Sequence, residues 1–568
     1  MASRAVPAPM PAEHRKVIFA SSLGALFEWY DFYLYGALAP LLAATFFSDA
    51  GPAIGMVAAL LTLAAGFLVR PIGALYFGRL GDLIGRKYTF LITLLLMGGA
   101  TFLIGVLPGH ATLGALAPAA LVLLRLAQGL AIGGEYGGVV TYVAEHAPRN
   151  RRGFYTGWIQ TTASLGLMLA LAVIVGVRAA LGDAVFADWG WRIPFLLSAL
   201  LLAIGVWVRL SLRESPPFVQ LKRGGGASRR PLAEAFGRWP NLKLVLIALF
   251  GLVAGQAVVW YAGQLQAFFF LTLQLRVDTT TASLLLCAAL ALGAPLFVLC
   301  GALSDRFGRK AIVLAGFVLA ALAYRPLFEG LTAAANPALA AAQQQVQITL
   351  AADASGCAWA FDPIGGAADV SACDRAKRQL AERAARFTRI DARAPVVTIG
   401  SERIELGTDP AEERRRIDAA LDAAGYPQHA DPARIDHLRV IGILWLLVLL
   451  VAMVYGPIAA LLVEMFPTRV RCSSVSLPYH LGNGWFGGLL PSMMFAIAAH
   501  TGNLYSGLWY PVVVALASAA IGLIFLREPD GADIDAQQGS HPSDAAASAP
   551  VSAPRQNVAL TQPGDPDE

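Results

Sequence analysis

Charge is scarce in this chain: Asp, Glu, Lys and Arg make up only 14% of its 568 residues, whereas a soluble domain carries roughly 25%. Cysteine is scarce too, with five residues. The loops contain no metal-ligand cluster and no nucleophile–base motif. No phosphate-binding loop occurs either, because Gly85 in "GRLGDLIGRK" is followed by Arg rather than by Lys and Ser or Thr. These absences argue against a soluble protein, an enzyme and an ATP-driven pump, and we expect no cofactor and no metal.

Long apolar segments stand where charge is missing. Hydrophobic residues make up 57% of the chain, and many apolar windows reach about 20 residues, the length that crosses a hydrocarbon core of about 30 Å as a helix. The sequence therefore predicts an all-α membrane protein with twelve transmembrane helices. We number the predicted spans 1 to 12: 17–47, 53–77, 88–108, 114–142, 153–177, 192–210, 244–270, 279–300, 311–333, 438–465, 472–499 and 508–527.

Positive charge is concentrated on one side of this predicted bundle. The short loops on the side of the N-terminus hold most of the Lys and Arg, whereas the opposite short loops hold only Arg178 and Arg276. By the positive-inside rule both termini are cytoplasmic, so the net charge of +5 does not call for a nucleic-acid partner. We expect no cleavable signal peptide before span 1, because the N-terminal residues lack an apolar segment followed by a cleavage site. We expect a multi-pass protein of the plasma membrane, the inner membrane of a bacterium.

Two pairs of motifs indicate an internal repeat. "GRLGDLIGRK" (78–87) matches "GALSDRFGRK" (301–310), and "VAEHAPRNR" (143–151) matches "LVEMFPTRV" (462–470). The members of the first pair follow the second span of each half, and those of the second pair follow the fourth span. This arrangement predicts two parallel six-helix halves. The first half consists of a cytoplasmic N-terminus (1–16) and a first bundle (17–210), and a cytoplasmic linker (211–243) follows it. The second bundle has two portions (244–333 and 438–527) separated by an extracytoplasmic insertion (334–437), and a disordered cytoplasmic tail (528–568) ends the chain.

The insertion is polar and carries Cys357 and Cys373. In an oxidising outer compartment these two residues form a disulfide, worth about 3 kcal/mol on the chain-entropy estimate; the alternative is two unpaired thiols. "AKRQLAERAARFTRI" and "AEERRRIDAALDAAG" are typical of short amphipathic helices, and "PVVTIGSERIEL" of a small hairpin.

Several motifs resemble those of one transporter family. The two G-x-x-x-D-x-x-G-R-K segments and "RLAQGLAIGGEYGG" (125–138) resemble the signatures of the major facilitator superfamily. More narrowly, "EWYDFYLYG", "GFLVRPIGALYFGRLGD", "WGWRIPF" and "LRESPPF" resemble the metabolite:proton symporter family, which includes carriers of shikimate, 2-oxoglutarate, citrate and proline or betaine. The resemblance implies the superfamily's twelve-helix fold, and it links the position of Arg125 to proton coupling. The insertion departs from the family pattern.

Span 1 carries Glu28 and Asp31 on one face, since they are three residues apart. A charge at the centre of a span costs on the order of 2.5–3.5 kcal/mol and usually faces the bundle interior. At a rise of about 1.5 Å per residue, these acids and Arg125 of span 4 lie towards the middle of the membrane. Two acids with one base leave one acid unpaired and able to exchange a proton. Arg125 can pair in turn with the acids and with a substrate carboxylate; which acid carries the proton stays open.

A second group of charges lies nearer the cytoplasm. Arg70 of span 2 and Glu135 of span 4 either lock helices together or take part in proton coupling. The two cytoplasmic repeats either fix topology alone or form a breakable Asp–Arg latch between helices. The predicted proton-coupling residues are Glu28, Asp31, Arg125 and Glu135. The predicted gating residues are Arg70, Gly78, Asp82, Arg86, Lys87, Asp305, Arg306 and Arg309.

The second half carries no matching charges, which favours shape selection there. In span 7, Gln256, Trp260 and Gln264 share a face at a spacing of four residues. These aromatic and amide side chains either pack helices or contact the substrate. The predicted substrate-binding residues of the whole chain are Tyr35, Arg125, Gln128, Gln256, Trp260, Tyr261, Gln264, Tyr455, His480 and Asn483.

The favoured function is a monomeric proton-coupled symporter that imports a small organic acid or zwitterion by alternating access, with protons, the solute and membrane lipids as partners. A non-transporting receptor that senses a solute through the insertion is one alternative. An efflux antiporter is another, although span 5 lacks the Gly-Pro ending of proton antiporters in this superfamily.

Overall fold

Helices occupy every stretch that the sequence predicts to cross the membrane. The computed structural model describes residues 12–48, 51–210, 214, 216–223, 228, 230–353, 357, 371–407 and 409–528. Within these residues, nine helices are long and apolar enough to cross a membrane, and the count of twelve stays a prediction. In span order the helices are Ala12–Ala37 with Ala39–Phe46, Gly51–Ile84, Arg86–Val106, Leu116–His146, Arg152–Leu181, Arg192–Leu210, Trp239–Gln274, Thr279–Phe307, Arg309–Ala335, His437–Met465, Arg471–Leu481 with Leu490–Thr501, and Trp509–Phe525.

Glycines end spans 2 and 8. Both helices run past their predicted limits because the G-x-x-x-D segment continues the helix. The turn then falls on the last glycine of each repeat, Gly85 at φ 117° and Gly308 at φ 95°, a region that L side chains rarely adopt. The next helices begin at once, at Arg86 and Arg309. These glycines form the tight turns between spans 2 and 3 and between spans 8 and 9.

Two spans contain wide helical turns. Span 7 includes the π-helical segments Leu249–Val253, Ala262–Gln266 and Phe270–Gln274, and span 11 includes Gly482–Gly487. Such segments break the regular 3.6-residue period and are frequent at functional sites. Both spans lie in the second half, where the sequence predicts substrate contacts.

The insertion folds into a small α/β unit. Its four strands, β1 (Ile348–Ala352), β2 (Thr388–Asp391), β3 (Val396–Ile399) and β4 (Glu402–Glu405), are arranged in the order β2-β1-β3-β4. Strand β1 runs parallel to β2 and antiparallel to β3, and β3 and β4 form the predicted hairpin.

Two of the insertion's helices pack against each other beside this sheet. Ala372–Glu382 is shorter than predicted, because "TRI" at 388–390 belongs to β2 rather than to the helix. Pro410–Ala423 matches its predicted helix. A two-pronged contact of Arg375 with Glu413, 2.9 Å to each carboxylate oxygen, joins the two helices.

The insertion is fastened to the second half of the bundle. The backbone N–H of Phe387 donates to the carbonyl of Gly502 at 3.0 Å, and that of Ala430 to the carbonyl of Arg276, also at 3.0 Å. The guanidinium of Arg276 in turn donates to the carbonyl of Glu382 at 2.6 Å. Because Gly502 and Arg276 belong to loops of the second half, we expect the insertion to move with that half.

A disulfide joins Cys357 and Cys373, whose Cα atoms lie 5.5 Å apart. Replacing both by serine should destabilise the insertion by about 3 kcal/mol, because the cross-link lowers the conformational entropy of the unfolded chain. The insertion is rich in arginine, so its transient opening can be read as the rate of tryptic cleavage in the intact protein. We expect the double variant to be cleaved about 100-fold faster. Cys287→Ser, which removes a free cysteine of span 8, is the control; equal rates for the double variant and this control would contradict the prediction.

The predicted linker and tail are only partly described. Within the predicted linker 211–243 the structure has the helices Pro216–Arg223 and Pro231–Phe236. Beyond Glu528, the tail that the sequence predicts to be disordered lies outside the described residues.

Candidate functional site

Arg209 is the centre of a buried charge cluster in the first half. One of its guanidinium nitrogens lies 2.9 Å from Glu28 Oε1 and 2.8 Å from Glu135 Oε1. Another donates to the carbonyl oxygen of Phe90 at 2.8 Å. All three charged side chains are buried. Because one cation faces two carboxylates, the cluster can accept one proton and become neutral.

The sequence analysis missed the role of Arg209. Predicted span 6 (192–210) contains this residue, and the structure places it in the helix Arg192–Leu210, but the sequence assigned it no partner. Glu28 does not form an ion pair with Arg125, and Glu135 does not form one with Arg70, because both acids pair with Arg209. The expected pairings are wrong in this respect. The available signal was the position of Arg209 before the end of the apolar run.

Asp31 and Arg125 are both buried, and the sequence predicts that they lie at a similar depth. Neutral side chains lie between them. Arg125 donates to Gln128 Oε1 at 2.6 Å, and Gln128 donates to the hydroxyl oxygen of Thr101 at 2.7 Å. The Thr101 hydroxyl donates to the Met97 carbonyl at 2.9 Å, and Asp31 lies beside Thr101. Among the described residues, Oδ1 of Asp31 has no hydrogen-bond partner and Arg125 has no carboxylate partner. A change of charge on Asp31 can therefore reach Arg125 through Gln128 and Thr101.

Arg70 and His480 present unused polar atoms to a central cavity. The guanidinium of Arg70 lies 4.4 Å from the ring centres of both Phe32 and Phe67. Its Nε and one terminal nitrogen, and both ring nitrogens of His480, lack hydrogen-bond partners within the described residues. Arg70 belongs to span 2 and His480 to span 11, and both line the same cavity. Buried unpaired donors of this kind suit a carboxylate supplied by a ligand.

The central cavity is narrow and tyrosine-lined. Its volume is about 30 Å³, which holds about one water molecule. Tyr136 of the first half stacks on Tyr479 of the second with ring centres 3.3 Å apart, and the Tyr479 hydroxyl lies 2.8 Å from that of Tyr455. Gln160 bridges the halves by donating to Tyr136 Oη at 3.0 Å and to the Tyr455 carbonyl at 2.8 Å. A molecule larger than water can enter this cavity only if its walls move apart.

An aromatic layer crosses the interface of the halves next to this cavity. Trp29 and Tyr33 of span 1 stack on Trp260 of span 7, with ring centres 6.1 and 6.0 Å apart. Phe67 meets Tyr261 edge-on at 5.9 Å. The layer therefore places the predicted contacts Trp260 and Tyr261 at the interface, and their substrate role stays a prediction.

The predicted amide contacts are partly satisfied by one another. Gln256 and Asn483 exchange hydrogen bonds of 3.4 and 3.2 Å within the second half. Gln264 donates to Ser164 of span 5 at 2.8 Å, so it joins the two halves. The Tyr35 hydroxyl donates to the Ala59 carbonyl at 3.0 Å, and the guanidinium of Arg125 lies 4.2 Å from the centre of the Tyr35 ring. These contacts favour packing roles for Gln256 and Asn483.

The two repeat aspartates each cap a helix of the opposite half. Asp82 accepts hydrogen bonds from the backbone N–H groups of Cys472 and Ser473, at 3.2 and 3.0 Å, at the start of span 11. Asp305 accepts from those of Gly153 and Phe154, at 2.8 and 2.9 Å, at the start of span 5. A carboxylate at a helix N-terminus is stabilised by the unpaired N–H groups there. The two contacts are equivalent under the repeat.

Two buried glutamates form further contacts between the halves, next to these aspartates. Glu145 lies 3.5 Å from Arg86 and 2.9 Å from Arg471 of span 11. Its repeat partner Glu464 forms an ion pair with Arg309 and lies 3.0 Å from Arg152 of span 5. Each glutamate therefore holds one arginine of its own half and one of the other. We call these contacts, together with those of Asp82 and Asp305, the latches.

The remaining predicted gating residues lie around the latches. Lys87 Nζ donates to the carbonyl of Leu210 at 3.1 Å, which ties spans 3 and 6. Gly78 faces the backbone of Ser473, and an added Cβ would lie 3.1 Å from its Cα. Arg306 is exposed. The gating roles stay predictions.

Comparison with known proteins identifies the family. Residues 16–235 match the family described as "Sugar (and other) transporter". The fold is similar to that of the major facilitator superfamily proton:xylose symporter XylE bound to 6-bromo-6-deoxy-D-glucose, with a TM-score of 0.59 and 16% identity over 92% of this chain and 98% of the other. The chain is 36% identical over 331 residues to the shikimate transporter of Escherichia coli K12, covering 56% of this chain and 73% of that protein. This chain belongs to the major facilitator superfamily.

Other relatives of this facilitator are also transporters rather than enzymes. It is 36% identical over 323 residues to the alpha-ketoglutarate permease of E. coli K12, covering 56% of this chain and 72% of the relative. It is 38% identical over 328 residues to the proline/betaine transporter of the same strain, where the match covers 55% of this chain and 64% of the relative's length. The expectation of the superfamily fold, with its two helical halves, is confirmed, as is that of a multi-pass membrane transporter family.

Proposed function

We propose that this facilitator is a proton-coupled symporter that imports a small organic acid or zwitterion by alternating access, with both termini in the cytoplasm. The observation that carries the proposal is the charge arrangement inside the first half. Asp31 and Arg70 are buried in the first half, and neither has an oppositely charged partner among the described residues. A proton on Asp31 and a carboxylate on Arg70 would satisfy both.

Charge balance supports one proton for each monoanion. The centre of the first half holds three buried carboxylates and three buried guanidinium groups, which belong to Glu28, Asp31 and Glu135 and to Arg70, Arg125 and Arg209. The group is neutral when all six are ionised, so a bound anion adds a negative charge to a site of low dielectric. Adding one proton restores neutrality, and because uncompensated buried charge is strongly unfavourable, the two species bind best together.

The chemistry of the relatives' solutes fits this site. Shikimate and alpha-ketoglutarate, named in two of the relatives, carry carboxylates, and proline and betaine, named in a third, are zwitterions with one carboxylate. Arg70 and His480 supply donors for that group. The rings of Trp29, Tyr136 and Tyr479 in the same cavity offer faces to which an ammonium group is attracted.

Uptake by purified protein in proteoliposomes tests the proposal directly. An inward proton gradient, with the acidic side outside, should drive radiolabelled shikimate, alpha-ketoglutarate, proline or betaine to a higher concentration inside the proteoliposomes than outside. A proton-conducting ionophore should abolish the accumulation. Binding without flux would contradict the transporter in favour of a receptor, and outward movement driven by the same gradient would favour an antiporter.

Arg70→Gln should weaken solute binding strongly. The variant loses the charge that pairs with the carboxylate, and truncating one partner of a buried pair costs about 2–5 kcal/mol, so we expect the apparent Kd to rise by on the order of 100-fold. Binding is measured by titration calorimetry with the transported solute. Arg403→Gln, at an exposed arginine of strand β4, is the matched control. An unchanged Kd in Arg70→Gln would remove Arg70 from the substrate site.

A further inference from the structure

A second cavity lies between the insertion and the bundle. It measures about 310 Å³ and is far larger than the central cavity. One wall is the end of span 9, another is the insertion helix Pro337–Gln345, and a third is the loop before span 12. Its polar lining includes Arg325, Glu329, Gln343, Arg386, Asn503 and Tyr505. The facilitator's transport site does not include any of them.

The outer face of span 9 changes character as it reaches this cavity. Val318, Leu322, Arg325 and Glu329 follow one another at spacings of four, three and four residues, so they form one stripe. Val318 and Leu322 are 41% and 71% exposed, and in a membrane this exposed apolar surface meets acyl chains. Arg325 and Glu329, with side chains 68% and 45% exposed, continue the stripe to the cavity. The stripe thus changes from apolar to charged where the hydrocarbon region ends.

The cavity carries a surplus of positive charge. Arg325 Nε donates to Glu329 Oε1 at 3.0 Å, which balances one charge of each sign. Arg386, from the insertion, adds a second guanidinium that forms no ion pair with the described residues. The side chains of Gln343 and Asn503 lie in the same wall. The lining therefore has a net charge of one positive unit, which matches a phosphodiester.

We propose that this cavity binds the headgroup of a glycerophospholipid. The phosphate lies between Arg325 and Arg386, because guanidinium groups bind phosphate oxygens through paired hydrogen bonds. The acyl chains follow Val318 and Leu322. The bound lipid thereby connects span 9 to the insertion, which the protein's own contacts hold to the same half of the bundle.

Two simpler arrangements explain less of the geometry. An arginine that extends towards the headgroup region from a helix end is common, and it accounts for Arg325 but not for Arg386, which comes from another segment. A soluble phosphate-bearing anion could use both guanidinium groups. It would gain nothing from the apolar stripe that leads to them.

Lipid retention by the purified full-length protein tests the proposal. The probes are phosphatidylglycerol with two long acyl chains and glycerol 3-phosphate, which has the phosphate without the chains. Native mass spectrometry measures bound lipid, and thermal unfolding in detergent measures stabilisation. We expect Arg325→Gln and Arg386→Gln each to weaken phosphatidylglycerol binding by roughly tenfold, since each removes charge-assisted hydrogen bonds. Arg403→Gln, outside the cavity, is the control and should bind as the parent protein does.

Two results would overturn the proposal. Equal stabilisation by glycerol 3-phosphate and phosphatidylglycerol would assign the cavity to a soluble anion. Equal lipid retention by the parent protein and the double arginine variant would leave the two arginines as solvated surface charges. Leu322→Gln adds a discriminating arm, because it should weaken binding of phosphatidylglycerol and leave any binding of glycerol 3-phosphate unchanged. None of these readouts depends on solute transport.

Discussion

Asp31→Asn should abolish uphill uptake while leaving downhill movement of the solute intact. The amide keeps the size of the side chain, but it cannot release a proton. With one proton per solute, a gradient of two pH units supports about 100-fold accumulation, since each unit supplies about 1.36 kcal/mol. We expect this ratio to fall to about one in the variant. Accumulation and counterflow exchange are measured on the same proteoliposomes.

Glu28→Gln separates the two sites that can hold the proton. Glu28 shares Arg209 with Glu135, so removal of one acid leaves a balanced pair rather than an unpaired base. We expect this variant to keep at least part of its accumulation, whereas Asp31→Asn keeps none. Full coupling in Asp31→Asn together with its loss in Glu28→Gln would move the proton from Asp31 to the Arg209 cluster.

The sequence predicted the fold better than the pairing of the charged residues. Spans, turns and repeat are local patterns, so apolar windows locate the helices and Gly85 and Gly308 locate two of the turns. Pairing depends on how helices rotate and tilt against one another, which a sequence does not specify. Glu135 therefore pairs with Arg209 of span 6 rather than with Arg70, which the estimate of depth places beside it.

Function in the second half was harder to predict for a related reason. Gln256, Trp260 and Gln264 were grouped by a regular helical period, but π-helical segments interrupt span 7 on both sides of Trp260. Gln256 turns to Asn483, whereas Gln264 reaches Ser164 in the other half. The insertion shows the same limit: its hairpin was predicted, whereas the pairing of β1 with β2, which are separated by a helix, was not.

Glu464→Gln should open the end of the bundle that carries the latches. Glu464 lies between Arg309 and Arg152, and its neutral replacement leaves two buried guanidinium groups without their shared carboxylate. Breaking a buried ion pair in this way costs about 3–5 kcal/mol, and the cost falls only on the closed state. We expect the open population to rise by on the order of 100-fold.

Cys472 is a native probe of this opening. It is buried beside Asp82 in the other latch, where its backbone N–H donates to the carboxylate at 3.2 Å. With Cys287 and Cys300 replaced by serine, the rate of maleimide labelling should report how often the halves separate. Glu413→Gln is the matched control, since it removes an equally buried carboxylate from the insertion. Faster labelling in Glu464→Gln alone would mean that the two latches open together, as a rigid rotation of the halves requires; an unchanged rate would show that Glu464 does not hold them closed.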